Sequence, residues 1–188
     1  IRGCSVVHSV TLYRGLDRVD FSADVTWDDY NHRLRIAFPV CGDASEQYWY
    51  GVPYGTLRRE NYESTYHWAG SNGDWPVTGW GGMDTDWGAA AVLERGTPSY
   101  HMRRTEQGEC LFISLLRSPC IPTYLHEPCS YSMTAWDGMR DAGEHHFELA
   151  FVSYDRPLRQ TEVCAAAEDY NRGFEAVRAD LTPIPLPE

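Results

Sequence analysis

The chain has 188 residues, seven Trp, twelve Tyr and a formal net charge of −11, with Arg as its basic residue throughout and no Lys. That length supports one sizeable core, and the acidic balance disfavours nucleic acid and anionic membrane surfaces as partners. No apolar run approaches the ~20 residues that span a bilayer, so no membrane partner is expected.

Taken in order, Val6 to Tyr13 is rich in β-branched and aromatic residues and predicts a strand ending at Arg14-Gly15. From Asp17 to Trp27 the pattern alternates: Val19, Phe21, Ala23, Val25 and Trp27 share one face, and Asp20, Ser22, Asp24 and Thr26 share the other. This is the period of a half-buried strand. Asp28-Asp29-Tyr30-Asn31-His32 is a polar turn cluster, after which Leu34, Ile36 and Phe38 alternate with Arg33, Arg35 and Ala37. Two alternating segments around a short polar loop predict a hairpin.

Glu60 to Trp87 is polar and Trp-rich, with turn or loop chemistry at Asn72-Gly73-Asp74 and Gly79-Trp80-Gly81-Gly82. Trp80, Asp84, Asp86 and Trp87 offer carboxylates for hydroxyl groups and flat aromatics for the C–H face of a sugar ring, so they are candidate substrate-binding residues. Ala89 to Leu93, Tyr100 to Arg104 and Leu111 to Leu116 predict a three-stranded meander around turns at Gly96-Thr97-Pro98-Ser99 and Glu106-Gln107-Gly108-Glu109. Such a meander buries its apolar face on another sheet. Pro119 to Gly143 is irregular. Glu144 to Tyr154 predicts a strand with His145 and His146 on opposite faces, unable to chelate one ion together. Gln160 to Tyr170 predicts a short helix with Val163, Ala166, Ala167 and Tyr170 at helical spacing, stopped by Arg172-Gly173. The reading is all-β with one short helix near the C-terminus: a single β-sandwich domain over residues 1–180 and a Pro-rich linker over 181–188.

Six cysteines show no Cys-x-x-Cys pair, which argues against a zinc knuckle. Free thiols and a cytoplasmic location are expected, with Cys120–Cys129 the one short loop where a bridge is a candidate. The chain opens at Ile1 and closes on a Pro-rich tail, so a segment of a longer protein is expected. A Gly-x-Ser-x-Gly elbow, a His-Glu-x-x-His motif, a phosphate-binding loop and a dinucleotide fingerprint are all missing from it.

Several blocks resemble the C-terminal half of the family 38 glycoside hydrolases, the α-mannosidases. Leu12-Tyr13-Arg14-Gly15-Leu16-Asp17-Arg18-Val19-Asp20-Phe21 is similar to the family's Leu-Tyr-x-Gly-x-x-Arg-Val-Asp. Val25-Thr26-Trp27, Leu34-Arg35-Ile36-Ala37-Phe38-Pro39 and Tyr50-Gly51-Val52-Pro53-Tyr54-Gly55 resemble further blocks. Ile113-Ser114-Leu115-Leu116-Arg117-Ser118-Pro119 and Gly143-Glu144-His145-His146-Phe147 do the same. The order and spacing agree over roughly residues 10–155. Glu94-Arg95 stands where the family tends to have Asn-Asp.

The resemblance implies a large antiparallel β-supersandwich of the galactose-mutarotase-like kind, belonging to a retaining α-mannosidase. Its zinc ion and Asp nucleophile lie in an N-terminal α/β barrel followed by a helical segment, so this chain is expected to hold no catalytic residue, metal or cofactor. Its implied partners are its own catalytic barrel and helical domain and a mannose-containing glycan. Loops over Trp80–Trp87 and Glu94–Tyr100 are the candidates for reaching the cleft, with Arg95 as a hydroxyl donor and Tyr100 to stack or donate. Two other classes stay open: an autonomous carbohydrate-binding β-sandwich, and a mutarotase-like enzyme using His67, His101 and Glu144.

Overall fold

The computed structural model describes residues 3–29, 32–44, 48–59, 74–118 and 141–173. In chain order these contain strands β1 (Ser5–Leu12), β2 (Val19–Trp27), β3 (His32–Val40), β4 (Tyr48–Val52), β5 (Gly55–Arg59) and β6 (Trp75–Pro76). They continue with β7 (Trp80–Thr85), β8 (Gly88–Glu94), β9 (Ser99–Thr105), β10 (Gly108–Ser118) and β11 (Gly143–Tyr154). A single 3₁₀ turn (Leu158–Gln160) and helix α1 (Val163–Arg172) follow, and Gly173 ends the helix with a positive φ of 64°. Two antiparallel sheets result, one of seven strands in the order β1-β2-β11-β8-β7-β4-β5 and one of four in the order β3-β10-β9-β6. The all-β sandwich with one C-terminal helix is therefore what the alternating pattern specifies. The Cys120–Cys129 loop and the 181–188 tail lie outside the described residues.

The pairing departs from the sequence reading in two places. β2 and β3 do not form a hairpin: β2 lies between β1 and β11, whereas β3 pairs with β10 in the other sheet. Likewise β8 belongs to the larger sheet, and only β9 and β10 of the expected meander are neighbours. The physical reason is the same in both cases. Alternation requires only that an apolar face meet another layer, and a strand in either sheet of a sandwich does so, which leaves its in-sheet neighbour unspecified. Trp27 at the end of β2 shows the crossover, because its Nε1 donates to Ser118 Oγ on β10 at 2.6 Å, tying one sheet to the other.

The inter-sheet core takes Tyr48 and Tyr50, Met83, Val92 and Leu149 from the larger sheet, against Phe38, Tyr100, Met102, Leu111 and Ile113 from the smaller. The opposite face of the larger sheet is covered by α1, through Val163, Ala167 and Tyr170 against Trp80, Ala91, Leu93 and Val152. β8 is consequently buried along its whole length on both faces. Its Ala run leaves space for the layers above and below, which a run of larger residues would not.

Gly81 and Gly82 fall inside β7 rather than in a loop, because backbone and ring approach them closely. A Cβ on Gly82 would meet Ala90 O at 2.4 Å and Ala91 Cβ at 2.7 Å, and one on Gly81 would meet the Tyr100 ring at 2.7 Å.

The larger sheet outgrows the smaller at its β1 margin. Val6, Val10 and Leu12 stand opposite Val25, Phe21 and Val19, on the inward face, yet Val10 and Leu12 are 58% and 74% exposed. The outer face of the small sheet behaves differently. His101 of β9 is only 8% exposed there, and burial first, then the charges of Arg35, Arg103 and Arg33, push its imidazole down to about 4.

Gly82→Ala should cost about 3 kcal/mol, read as a lowered midpoint in urea, whereas Gly96→Ala, with open space around it, should cost only the strain of its positive φ. For His101, the unfolded chain binds a proton below roughly pH 6.5 that the folded chain refuses until about pH 4. Stability should therefore fall as pH drops through that window, by up to about 3 kcal/mol. Subtracting the same titration of His101→Gln isolates this loss; equal slopes in the two proteins would contradict it.

Candidate functional site

Glu94, the last residue of β8, organises the outer face of the larger sheet where β8 ends. Its carboxylate is buried, with Oε1 accepting from Gly79 N at 2.8 Å and Oε2 from Thr97 N at 2.6 Å. Its own N–H donates to Gly79 O at 2.9 Å, and its carbonyl accepts from Asn171 Nδ2 at 2.9 Å. The segment before β7, the turn after β8 and the last turn of α1 are thus fixed to one residue. Charge-assisted acceptance of two backbone N–H groups is strong when dry.

The next residue is Arg95, which this arrangement aims across the sheet. Its Nη1 donates to Glu148 Oε2 of β11 at 2.6 Å, and its Nη2 donates to Tyr170 O near the C-terminus of α1. A cation there complements the helix dipole. The guanidinium lies 4.6 Å from the centre of the Tyr170 ring, and Arg18 lies 5.1 Å from the same ring. Arg18 in turn grips Asp20 with both Nε (2.7 Å) and Nη2 (3.2 Å). Tyr170 is buried between these cations; burial raises its phenol to about 12 against the opposing pull of Arg95.

These side chains line a cleft of about 890 Å³. Its other walls include Tyr13 and Leu16, both exposed, and Asp169. The volume is that of a small-ligand site. Two guanidiniums supply fixed donors, Asp20 and Glu148 keep lone pairs available beyond their Arg partners, and Tyr13 offers a flat apolar wall. This is the chemistry of binding a polyhydroxy ligand. Farther along the same face, His146 Nδ1 lies 2.6 Å from Asp24 Oδ1, which raises the exposed imidazole.

Of the residues singled out from sequence, only Arg95 lines this cleft. Trp80 is buried beneath α1 and floors a second groove of about 440 Å³ on the other side of the helix. Asp84 is engaged structurally, accepting from Trp49 Nε1 at 2.8 Å and Leu158 N at 2.7 Å. Asp86 and Trp87 form the β7–β8 turn, bonded to Asp43 N (3.2 Å) and Cys41 O (2.5 Å). That turn lies at the far end of β8 from Arg95, roughly 20 Å away by strand rise. Tyr100 points into the inter-sheet core, fully buried, its hydroxyl donating to Val92 O at 3.4 Å. A core phenol of this kind, pushed well above its ordinary value by burial, has no surface to offer a sugar.

Arg18, Asp20, Glu148 and Tyr170 were not singled out as site residues, although Tyr13, Arg18 and Asp20 sit in the Leu12–Phe21 block. Their concentration in that one block was the available signal. His101 and Glu144 fall in different sheets, on β9 and β11, and His67 lies outside the described residues. Among the described residues, no group of three His, Cys, Asp or Glu side chains converges as metal ligands would.

Replacing Glu94 tests the hub directly. Glu94→Ala leaves two backbone donors without acceptors, the buried Thr97 N–H and the half-buried Gly79 N–H, and should cost about 2–5 kcal/mol, whereas Glu94→Gln, which retains one acceptor oxygen, should cost less. Thermal unfolding of the two variants beside the parent protein checks the ranking.

Among curated proteins, no match to the chain is found. A family model does match, that of the glycosyl hydrolases family 38 C-terminal domain, over residues 1–124. The matched span includes β1 to β10 and the whole Leu12–Phe21 block that builds one wall of the cleft. Membership of this family implies association with other domains of the same enzyme. The chain belongs to the glycosyl hydrolase family 38 C-terminal domains.

Proposed function

We propose that this chain is the non-catalytic β-sandwich domain of a retaining, zinc-dependent, α-mannosidase-like glycoside hydrolase, packing on the catalytic barrel and helping to shape the glycan cleft. The observation that carries the reading is the placement of Tyr13, Arg18 and Asp20, from the family block, in one cleft with Arg95, Glu148 and Tyr170. On this reading the nucleophile and the zinc belong to the barrel. Zinc would orient sugar hydroxyls there, and this chain's part is to bind. Arg18 and Arg95 donate to hydroxyls, Asp20 and Glu148 accept from them, and Tyr13 covers an apolar ring face. The uncovered inward face of β1 supports packing against a further domain, since an edge strand carrying Val6, Val10 and Leu12 exposed is a surface that soluble chains normally cover. A cytoplasmic location belongs to the same proposal.

A second reading is favoured by the cleft being complete within this chain: an autonomous carbohydrate-binding module. The two are separated by assaying hydrolysis of a chromogenic α-mannoside, with zinc added, by the parent enzyme and by this chain alone. The domain reading expects an active parent and a silent chain; turnover by the chain alone would overturn it. Saturable binding of free mannose by the isolated chain would favour the module. Within the parent, Arg95→Ala and Arg18→Ala should each lower kcat/KM by roughly 10- to 100-fold, the loss of a charge-assisted hydrogen bond.

A further inference from the structure

The outer face of the small sheet gathers positive charge in a protein whose net charge is −11. Arg33 and Arg35 of β3, Arg103 of β9 and Arg117 of β10 all lie on it. Arg33 stands directly opposite Arg117 in the β3–β10 register, a like-charge pairing that destabilises a sheet. Burial and the neighbouring guanidiniums lower the pKa of both Arg33 and Arg35, with Arg35 and Arg117 acting on the first and Arg103 on the second.

One carboxylate faces this cluster among the described residues. Asp74 accepts from Arg35 Nη2 through both oxygens, at 2.9 and 2.7 Å, and also pairs with Arg33. Ser114 Oγ accepts from Arg35 Nε at 3.3 Å and lies 3.4 Å from Asp74 Oδ1. Two of the guanidiniums are thereby held in place. The exposed Arg103 and Arg117 make no ion pair among the described residues. Between them, His101 is buried to more than nine-tenths, and its Nδ1 has no hydrogen-bond partner among the described residues. Its ring meets Phe112 edge-on, with centroids 6.1 Å apart, and Arg103 lies 5.6 Å from the centre of the same Phe112 ring. A groove of about 560 Å³ runs on from Arg103 and Phe112 past Ala37 and Pro39 towards the β9–β10 turn, where Glu106 lies.

We propose that this face binds a small organic oxyanion, a carboxylate or a phosphate, whose charged end sits among Arg33, Arg35, Arg103 and Arg117 beside His101. The body of the ligand lies over Phe112 in the groove, whose far end carries both Arg104 and Glu106. Asp74 acts as a positioning residue: it fixes the forks of Arg33 and Arg35 and leaves most of the cationic charge uncompensated for the ligand. The proposal is independent of the glycan cleft, which lies on the outer face of the other sheet.

Titration of the intact protein at constant ionic strength, read by calorimetry and by the thermal midpoint, tests it. The probes are inorganic phosphate, a hexose phosphate and a hexuronate, with the neutral hexose as control. Saturable binding of an anionic probe is expected, weakened at least roughly tenfold in Arg103→Gln and in Arg117→Gln. Both residues are exposed and outside the Asp74 pairs, so their loss leaves the fold intact. Arg172→Gln, which removes only the exposed pair with Glu168 on α1, should leave binding unchanged. The tighter of the phosphate and the uronate identifies the group the site takes. Absence of saturable binding, equal binding of the neutral hexose, or binding unchanged in both variants would overturn the proposal.

Discussion

The buried carboxylate of Glu94 is the constraint on which the outer face of the large sheet depends. A carboxylate taken out of water is costly unless its lone pairs are met, and here two backbone N–H groups from separate turns meet them. That requirement fixes the path of the chain after β8, and with it the direction of Arg95. Arg95 then joins β11 through Glu148 and the end of α1 through Tyr170. A helix of ten residues is too short to be stable alone in water. Its apolar contacts with the sheet, the Arg95 bond to Tyr170 O and the Asn171 bond to Glu94 together hold it against β8.

The same arrangement explains why a cleft exists at that place. β1 and β2 extend the large sheet beyond the small one, and α1 covers only the middle of the outer face. Between the end of α1 and the β1–β2 connection, no described residue covers the sheet, and charged residues that bond one another border it. Preorganised donors and acceptors of this kind lose little entropy on binding. The proposed role in glycan binding rests on that geometry rather than on any nucleophile in this chain.

Much of the fold was legible because alternation is a direct consequence of strand geometry: β2, β3, β9, β11 and α1 follow from period-two or helical spacing, and β10 from a continuous apolar run. Which strands become neighbours was not legible, since β2 and β3 satisfy their apolar faces equally well in one sheet or in two. The glycines of β7 read as a loop because glycine is permissive, yet here they serve close approach to Ala90 and Tyr100. The site was harder. Trp80 and Tyr100 look like sugar platforms by residue type, but the parity that places Tyr100 on the inward face of β9 also buries it. The residues that do line the cleft come from the β1–β2 connection, β2, the β8–β9 turn, β11 and α1, far apart in the chain, and composition gives no signal for such a meeting. Arg95, expected as a hydroxyl donor in the turn after β8, was the one cleft residue legible as such, and the Leu12–Phe21 block carries Tyr13, Arg18 and Asp20 together.

On the proposed role, the cleft around Arg18, Arg95 and Tyr170 faces the glycan in the assembled enzyme. A crystal structure of the parent enzyme with a bound mannoside is the decisive measurement. The Arg18 or Arg95 guanidinium should lie within hydrogen-bonding distance of a sugar hydroxyl, with the inward face of β1 covered by a neighbouring domain. A mannoside bound elsewhere, with this cleft open to solvent on the side away from the catalytic barrel, would contradict it.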